Sequence, residues 1–288
     1  MQRAAAWISP GARSAAPFLV LLLVGFVAPL IAVVAFSFMP PRSFSIWQEP
    51  TLRNYEVIFN GTSYISFLWS LALAAITVFL LAIICYPVAY GLVHVFGRWS
   101  TALTLLFVIP LFVSENVRLY GWVLFLIKNG LLLGSLKTLF GVEMESILFT
   151  EAAIILGMVY VYFPFMLFPM SLGIAMVPKE AREAAFDLGA TRWQVFREVE
   201  LPLSMPGIII GFLLTFVLAV GAIAEAKVLG GQQIIPITHD IEIAFTYAQN
   251  WPLGAALAVL LMVVVGILVL IVLRRFDLDA VLGKRQRS

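Results

Sequence analysis

Six long apolar runs constrain this chain more than any other feature. About 20 residues of helix cross about 30 Å of hydrocarbon, and runs of that order lie at Pro17 to Met39, Ile65 to Val95, Thr101 to Phe125, Ala152 to Met176, Ser204 to Lys227 and Leu253 to Leu273. A lipid interior satisfies no backbone N–H or C=O, so each run must be a helix. The expected fold class is therefore an all-α integral membrane protein with six transmembrane helices. Composition bears on one alternative: with 62% hydrophobic residues, 12% charged residues and a mean hydropathy of +1.03, the apolar surface needs lipid as its solvent, which excludes a soluble enzyme. The first run is too long for a signal-peptide core and lacks a clear cleavage signal, so it is expected to be retained. The second is overlong, and Pro87 predicts a kink in it.

Lysines and arginines orient the runs. With both termini cytoplasmic, the inner segments hold Arg3, Arg13, Arg98, Lys179, Arg182, Arg192, Arg197, Arg274, Arg275, Lys284, Arg285 and Arg287. The outer segments hold only Arg42, Arg53, Arg118, Lys128, Lys137 and Lys227. Residues 1–16 then form a cytoplasmic N-terminus and residues 17–288 a single transmembrane domain. A net charge of +2, scattered over the loops, does not suit nucleic acid. Cys85 has no partner for a disulfide and sits in an apolar run, where a small buried hydrophobe is expected. His94 and His239 lie in different segments without a second ligand at metal spacing, so no metal site is expected. The chain has no G-x-x-x-x-G-K-[ST], no G-x-G-x-x-G and no visible Ser-His-Asp or Cys-His set, so neither an ATPase site nor a covalent catalyst is expected. Asn60-Gly61-Thr62 matches the glycosylation acceptor pattern, which recurs by chance and carries nothing here.

Pro178 to Pro202 is a polar island between spans. Pro178 can open a helix, on which Ala181, Ala184, Ala185 and Leu188 recur at i, i+3, i+4 and i+7. Gly189 permits a left-handed end to that helix, and Thr191 with Gln194 has the spacing of a capping box that starts a second. Trp193, Phe196 and Val199 share a face of the second helix. By periodicity alone the pair suits either a solvated loop or a surface that plugs into a partner.

The finer spacing resembles the EAA loop of bacterial ABC importer permeases, EAA-x3-G-x9-I-x-LP. Glu183-Ala184-Ala185, Gly189 and Val199-Glu200-Leu201-Pro202 stand at its positions, with Val199 in place of isoleucine. Asn129-Gly130-Leu131, Leu229-Gly230-Gly231 and Asn250-Trp251-Pro252-Leu253-Gly254-Ala255-Ala256 look like the spermidine/putrescine-type branch of that family. The resemblance implies a type I permease whose two-helix cytoplasmic loop couples it to an ATPase through Glu183, Ala184, Ala185, Gly189, Thr191, Trp193, Phe196, Leu201 and Pro202. It further implies a dimer of cytoplasmic ABC ATPase subunits that use the ATP, a second permease, a periplasmic or extracellular solute-binding protein, and a bacterial inner-membrane location. The expected cargo is a polyamine. An opine, an amino-acid-like compound, a phosphonate, thiamine or ferric ion remains open on the same scaffold, because the chain departs from polyamine permeases at Gly221 to Lys227, where they often carry an aromatic- and proline-containing run. An ion-coupled secondary transporter is the different-class alternative, for which no internal repeat is visible.

Charges in or near spans are the remaining functional signal, since each costs a few kcal/mol at the helix centre. Glu115, Arg118, Glu225 and Lys227 stand there. Glu115 and Arg118 can pair on one helix face or line a pathway. Tyr120 and Trp122 fit an aromatic belt or a stacking surface for a passing solute. Lys128 to Met144 is expected to be an interfacial outer helix, with a substrate gate as its second reading. Arg42 to Ser63 and Gly230 to Asn250 are the outer stretches open to a soluble binding protein.

Overall fold

Backbone groups out of reach of water must bond within their own helix. The computed structural model, which describes residues 10–141 and 145–275, is helical over most of each long apolar run and shows no strand among the described residues. In chain order the helices are α1 (Pro10–Leu22), α2 (Ala28–Ser37), α3 (Arg53–Asn60), α4 (Ser63–Tyr90), α5 (Ser100–Val108), α6 (Glu115–Leu126), α7 (Leu131–Phe140) and α8 (Glu151–Ala175), followed by α9 (Lys179–Asp187), α10 (Arg192–Val195), α11 (Leu201–Val220), α12 (Ala224–Val228), α13 (Ile237–Thr246) and α14 (Trp251–Arg275). Six stretches of the described residues are long and apolar enough to cross a membrane: Ala15–Ser37, Ser63–Val95, Glu115–Phe140, Glu151–Ala175, Arg192–Val220 and Trp251–Arg275. The all-α, six-span class is as expected. Arg3, Lys284, Arg285 and Arg287, together with residues 142–144 of the expected outer helix, lie outside the described residues.

The third and fifth spans differ from the sequence reading. The expected third span, Thr101 to Phe125, is broken. Pro110 cannot donate a helical N–H, and α5 tightens there into a 3-10 turn, Ile109–Phe112, before Val113 turns extended at φ −100, ψ 136. A new helix starts at Glu115, so this acid sits at a helix N-terminus, where the helix dipole favours it. Glu115–Phe140 is long and apolar enough to span by length and composition, but it too is interrupted, with Ile127 extended at φ −61, ψ 153, and α7 lies beyond that interruption within the expected surface segment. At the fifth span, the expected second loop helix is not separate from the membrane helix. α10, a π turn at Phe196–Glu200 and α11 run on without a break. Pro202 removes an N–H and crowds the carbonyl four residues back, and the wider π turn just upstream accommodates both. The same helix stops at Val220, which leaves Glu225 and Lys227 on the separate α12. Pro87 does not break the second span; α4 passes through it and ends in a π turn at Gly91–Val95.

The chain forms two compact units, one of the residues up to Tyr64 with His239–Val264 and the other of Ile65–Thr238 with the chain from Val265 on. In the first, buried Asn54 donates to the carbonyl oxygens of Ser37 at 3.1 Å and Met39 at 2.7 Å, fixing α3 against the end of α2. Trp251 sits among Phe36, Phe44 and Phe245. Asn250 accepts from the Arg42 N–H at 2.9 Å. In the second unit α8 and α11 pack backbone to backbone. A Cβ on Gly173 would stand 2.7 Å from the Gly207 Cα, and one on Gly207 would strike Gly173 and the Pro169 carbonyl. Small residues permit this approach between apolar helices, and Met166, Leu167, Met170 and Ile174 are buried along the same helix. All the candidate site residues belong to this second unit.

Candidate functional site

The polar loop is built from its caps. α9 ends with Gly189 at φ +84, the Gly189 N–H on the Phe186 carbonyl at 2.9 Å and the Ala190 N–H on the Ala185 carbonyl at 3.1 Å, a Schellman ending. Two residues on, the Thr191 N–H donates to Gln194 Oε1 at 2.8 Å and the Gln194 N–H to Thr191 Oγ1 at 3.4 Å, so the expected capping box is formed. The expected α9 stripe divides: Ala181 and Ala185 face partly inward, Ala184 and Leu188 outward. Leu188 is 89% exposed and Trp193 66%, with Phe186 and Glu183 also exposed, so apolar groups stand bare on the most charged part of the chain. Glu183 carries only an exposed i, i+4 contact to Lys179 at 3.4 Å.

Beneath that surface lies a contact the sequence did not suggest. Arg182 on α9 meets Glu200 in the π turn at 2.9 Å, with side-chain exposures of 23% and 6%; the Arg182 Nε–H is not aligned for a hydrogen bond. Arg182 also reaches the His94 ring, with 3.1 Å from Nη1 to Nδ1, and Tyr90 packs edge-on to His94 at 4.8 Å. Trp193 stacks on Phe196 at 5.2 Å, and Phe196 meets Tyr86 edge-on at 5.6 Å. Of these side chains all but His94 border a cavity of about 590 Å³. The loop is thereby tied to the end of the second span and to the start of the fifth.

A second cavity, of about 770 Å³, opens at the break before α6. Glu115 and Arg118 line it from α6, Val161, Tyr162 and Phe165 from the middle of α8, and Leu218 and Gly221 to Ile223 from the end of α11 and beyond. Arg118 does not pair with Glu115. Its guanidinium lies 5.7 Å over the Tyr160 ring, and its Nε and Nη1 are buried without a hydrogen-bond partner. Trp122 packs edge-on to Tyr160 at 5.6 Å and to Phe125 at 5.6 Å. Glu225 is 0% exposed and stands behind the cavity wall, with neither carboxylate oxygen hydrogen-bonded. The Tyr162 hydroxyl lies beside it without meeting hydrogen-bond geometry. Lys227 and Tyr120 are not among the lining residues. Sequence reasoning missed Tyr162, whose only signal was a hydroxyl in an apolar run. Among the described residues no group of three or more His, Cys, Asp or Glu is placed to hold a metal, and Cys85 is buried with its thiol 3.8 Å from the Phe163 carbonyl.

Residues 62–279 match the family described as binding-protein-dependent transport system inner membrane component. The spermidine/putrescine transport system permease protein PotB of Haemophilus influenzae is 34% identical over 250 residues, covering 85% of this chain and 87% of that protein. The PotB protein of Escherichia coli K12 is 33% identical over 222 residues, 77% of this chain and 81% of its own length. In fold, the chain is similar to a chain of a bacterial ABC transporter involved in import of the acidic polysaccharide alginate, with a TM-score of 0.69 at 17% identity over 91% of this chain and 93% of that one.

Proposed function

The chain belongs to the family of binding-protein-dependent transport system inner membrane components, and from that membership we propose that it is the permease subunit of an ATP-driven importer whose cargo is a polyamine. It is a multi-pass inner membrane protein and a transport subunit. The observation that carries the polyamine reading is the larger cavity: Glu115 lines it, the unbonded Glu225 stands behind its wall, and Tyr162 and Phe165 supply aromatic faces. Ammonium groups are held by carboxylates and ring faces. Relatives at 34% and 33% identity that are spermidine/putrescine permeases support the same cargo.

In this reading the loop of α9 and α10 docks on one of two cytoplasmic ABC ATPase subunits through Glu183, Ala184, Leu188 and Trp193, and ATP is used there, with no cofactor in this chain. A second permease completes the pathway, and a soluble binding protein delivers the solute on the outer side. Both termini are cytoplasmic. The bare Leu188 and Trp193 support a partner that covers them. Arg118 in the cavity wall is the one observation that favours a second reading, a zwitterionic solute such as an opine or amino acid. Competition decides between them. In proteoliposomes holding the assembled transporter, unlabelled putrescine should suppress labelled spermidine uptake while arginine and octopine do not; suppression by octopine but not by putrescine contradicts the polyamine reading.

A further inference from the structure

At the wall of the larger cavity stand two buried charged groups without partners. Arg118 leaves Nε and Nη1 buried and unbonded, and Glu225 leaves both carboxylate oxygens so. Opposite buried charges ordinarily join, because each is costly alone. Here they are not joined, although α6 and α12 pack together. A Cβ built on Gly157 would lie 3.7 Å from the Glu225 Cγ and 3.4 Å from the Leu119 Cδ2, so the Glu225 stem, the α8 backbone and the residue after Arg118 meet at one place. Tyr160, whose ring lies under the Arg118 guanidinium, is three residues further along α8, about one helical turn. The ring is itself held edge-on by Trp122. Arginine's long stem and planar head suit a move of one turn between a ring face and a carboxylate.

We propose that Arg118 is a tethered cation that competes with the transported solute for Glu225, resting on the Tyr160 ring when the acid is free for the solute and returning to the acid when the solute leaves. The inference rests on the cationic-solute reading given above and adds the residue that sets affinity and release. With Arg118 on the ring, an ammonium group entering the cavity finds Glu115 at the wall and Glu225 behind it. With Arg118 on Glu225, the site is closed to cations. Apparent affinity is then multiplied by the fraction of time the acid is free, so an arginine that occupies it nine-tenths of the time weakens binding about ten-fold. The same residue speeds departure, because its return replaces the solute on the acid. A zwitterion's carboxylate would bind Arg118 and keep it from returning to Glu225, so the release step would be lost.

The test measures equilibrium binding of radiolabelled spermidine to the purified permease–ATPase complex, beside its turnover in proteoliposomes. Arg118→Gln should bind spermidine up to about ten-fold tighter and turn over more slowly. Arg118→Lys, which keeps the charge, should stay near wild type in both. Tyr160→Leu, which removes the resting face, should bind more weakly. A merely structural Arg118 would lower affinity and turnover together, without rescue by lysine. If wild type binds spermidine and Arg118→Gln at normal abundance binds it equally or more weakly, the competition is overturned while the cationic cargo stands. If wild type binds no spermidine, the cargo and the inference fall together. Should Arg118→Gln not assemble, Tyr160→Leu decides, and unchanged affinity in it contradicts the proposal.

Discussion

Glu225 is the side chain whose position is hardest to justify by stability alone. A carboxylate buried with neither oxygen bonded is destabilising. Strain kept in this way is characteristic of positions held for function. Glu225→Gln keeps the shape and removes the charge. The complex should then melt no lower and up to a few degrees higher, roughly 2 to 4 °C for each kcal/mol relieved, while spermidine uptake falls. A lower melting point with wild-type uptake would make Glu225 a structural residue, and an unchanged uptake profile with sensitivity at Lys227→Gln would point to an anionic or zwitterionic cargo. Gly189 is a second single-residue case. A Cβ there meets nothing within 4 Å, so a side chain costs backbone strain at φ +84 and not a clash. Gly189→Val should lose transport, with strain of roughly 1–3 kcal/mol. Gly189→Asn, which tolerates the left-handed region, should retain most of it. Equal transport by both variants at equal abundance contradicts the turn argument.

At the scale of elements, the link between α9 and the fifth span is the Arg182–Glu200 pair. Removing one partner of a largely buried pair leaves the other uncompensated, at about 3 to 5 kcal/mol, reduced here by the partial exposure of Arg182. Arg182→Gln should therefore let the loop move without the span, so that more ATP is hydrolysed per spermidine imported. Arg182→Glu combined with Glu200→Arg should restore part of the ratio, and a wild-type ratio in Arg182→Gln would show that the pair carries no coupling. This pair was not legible beforehand, because residues 182 and 200 meet through a turn whose path the sequence does not specify. The caps around it were legible, since the Gly189 ending and the Thr191–Gln194 box are settled within a few residues. The break at Pro110 lies between these cases. Hydropathy summed over a span hides it, yet Pro110 followed by Ser114-Glu115 carries a stop and a start signal. Reading them would have placed Glu115 at a helix N-terminus. Tyr162 and the position of Glu225 behind the wall depend on how α6, α8 and α12 pack, which no local pattern encodes.

For the whole molecule, the number of spans followed from length and hydropathy, because a bilayer leaves the backbone few alternatives. What those features do not separate is an ATP-driven importer from an ion-coupled carrier, since both are bundles of apolar helices around a charged cavity. The family and the exposed Leu188 and Trp193 point to the first. Accumulation of labelled spermidine in proteoliposomes holding the purified transporter and its binding protein distinguishes them most directly. Uptake should require ATP on the loop side, require the binding protein, and ignore imposed proton or sodium gradients; uptake without ATP that follows such a gradient would contradict the account.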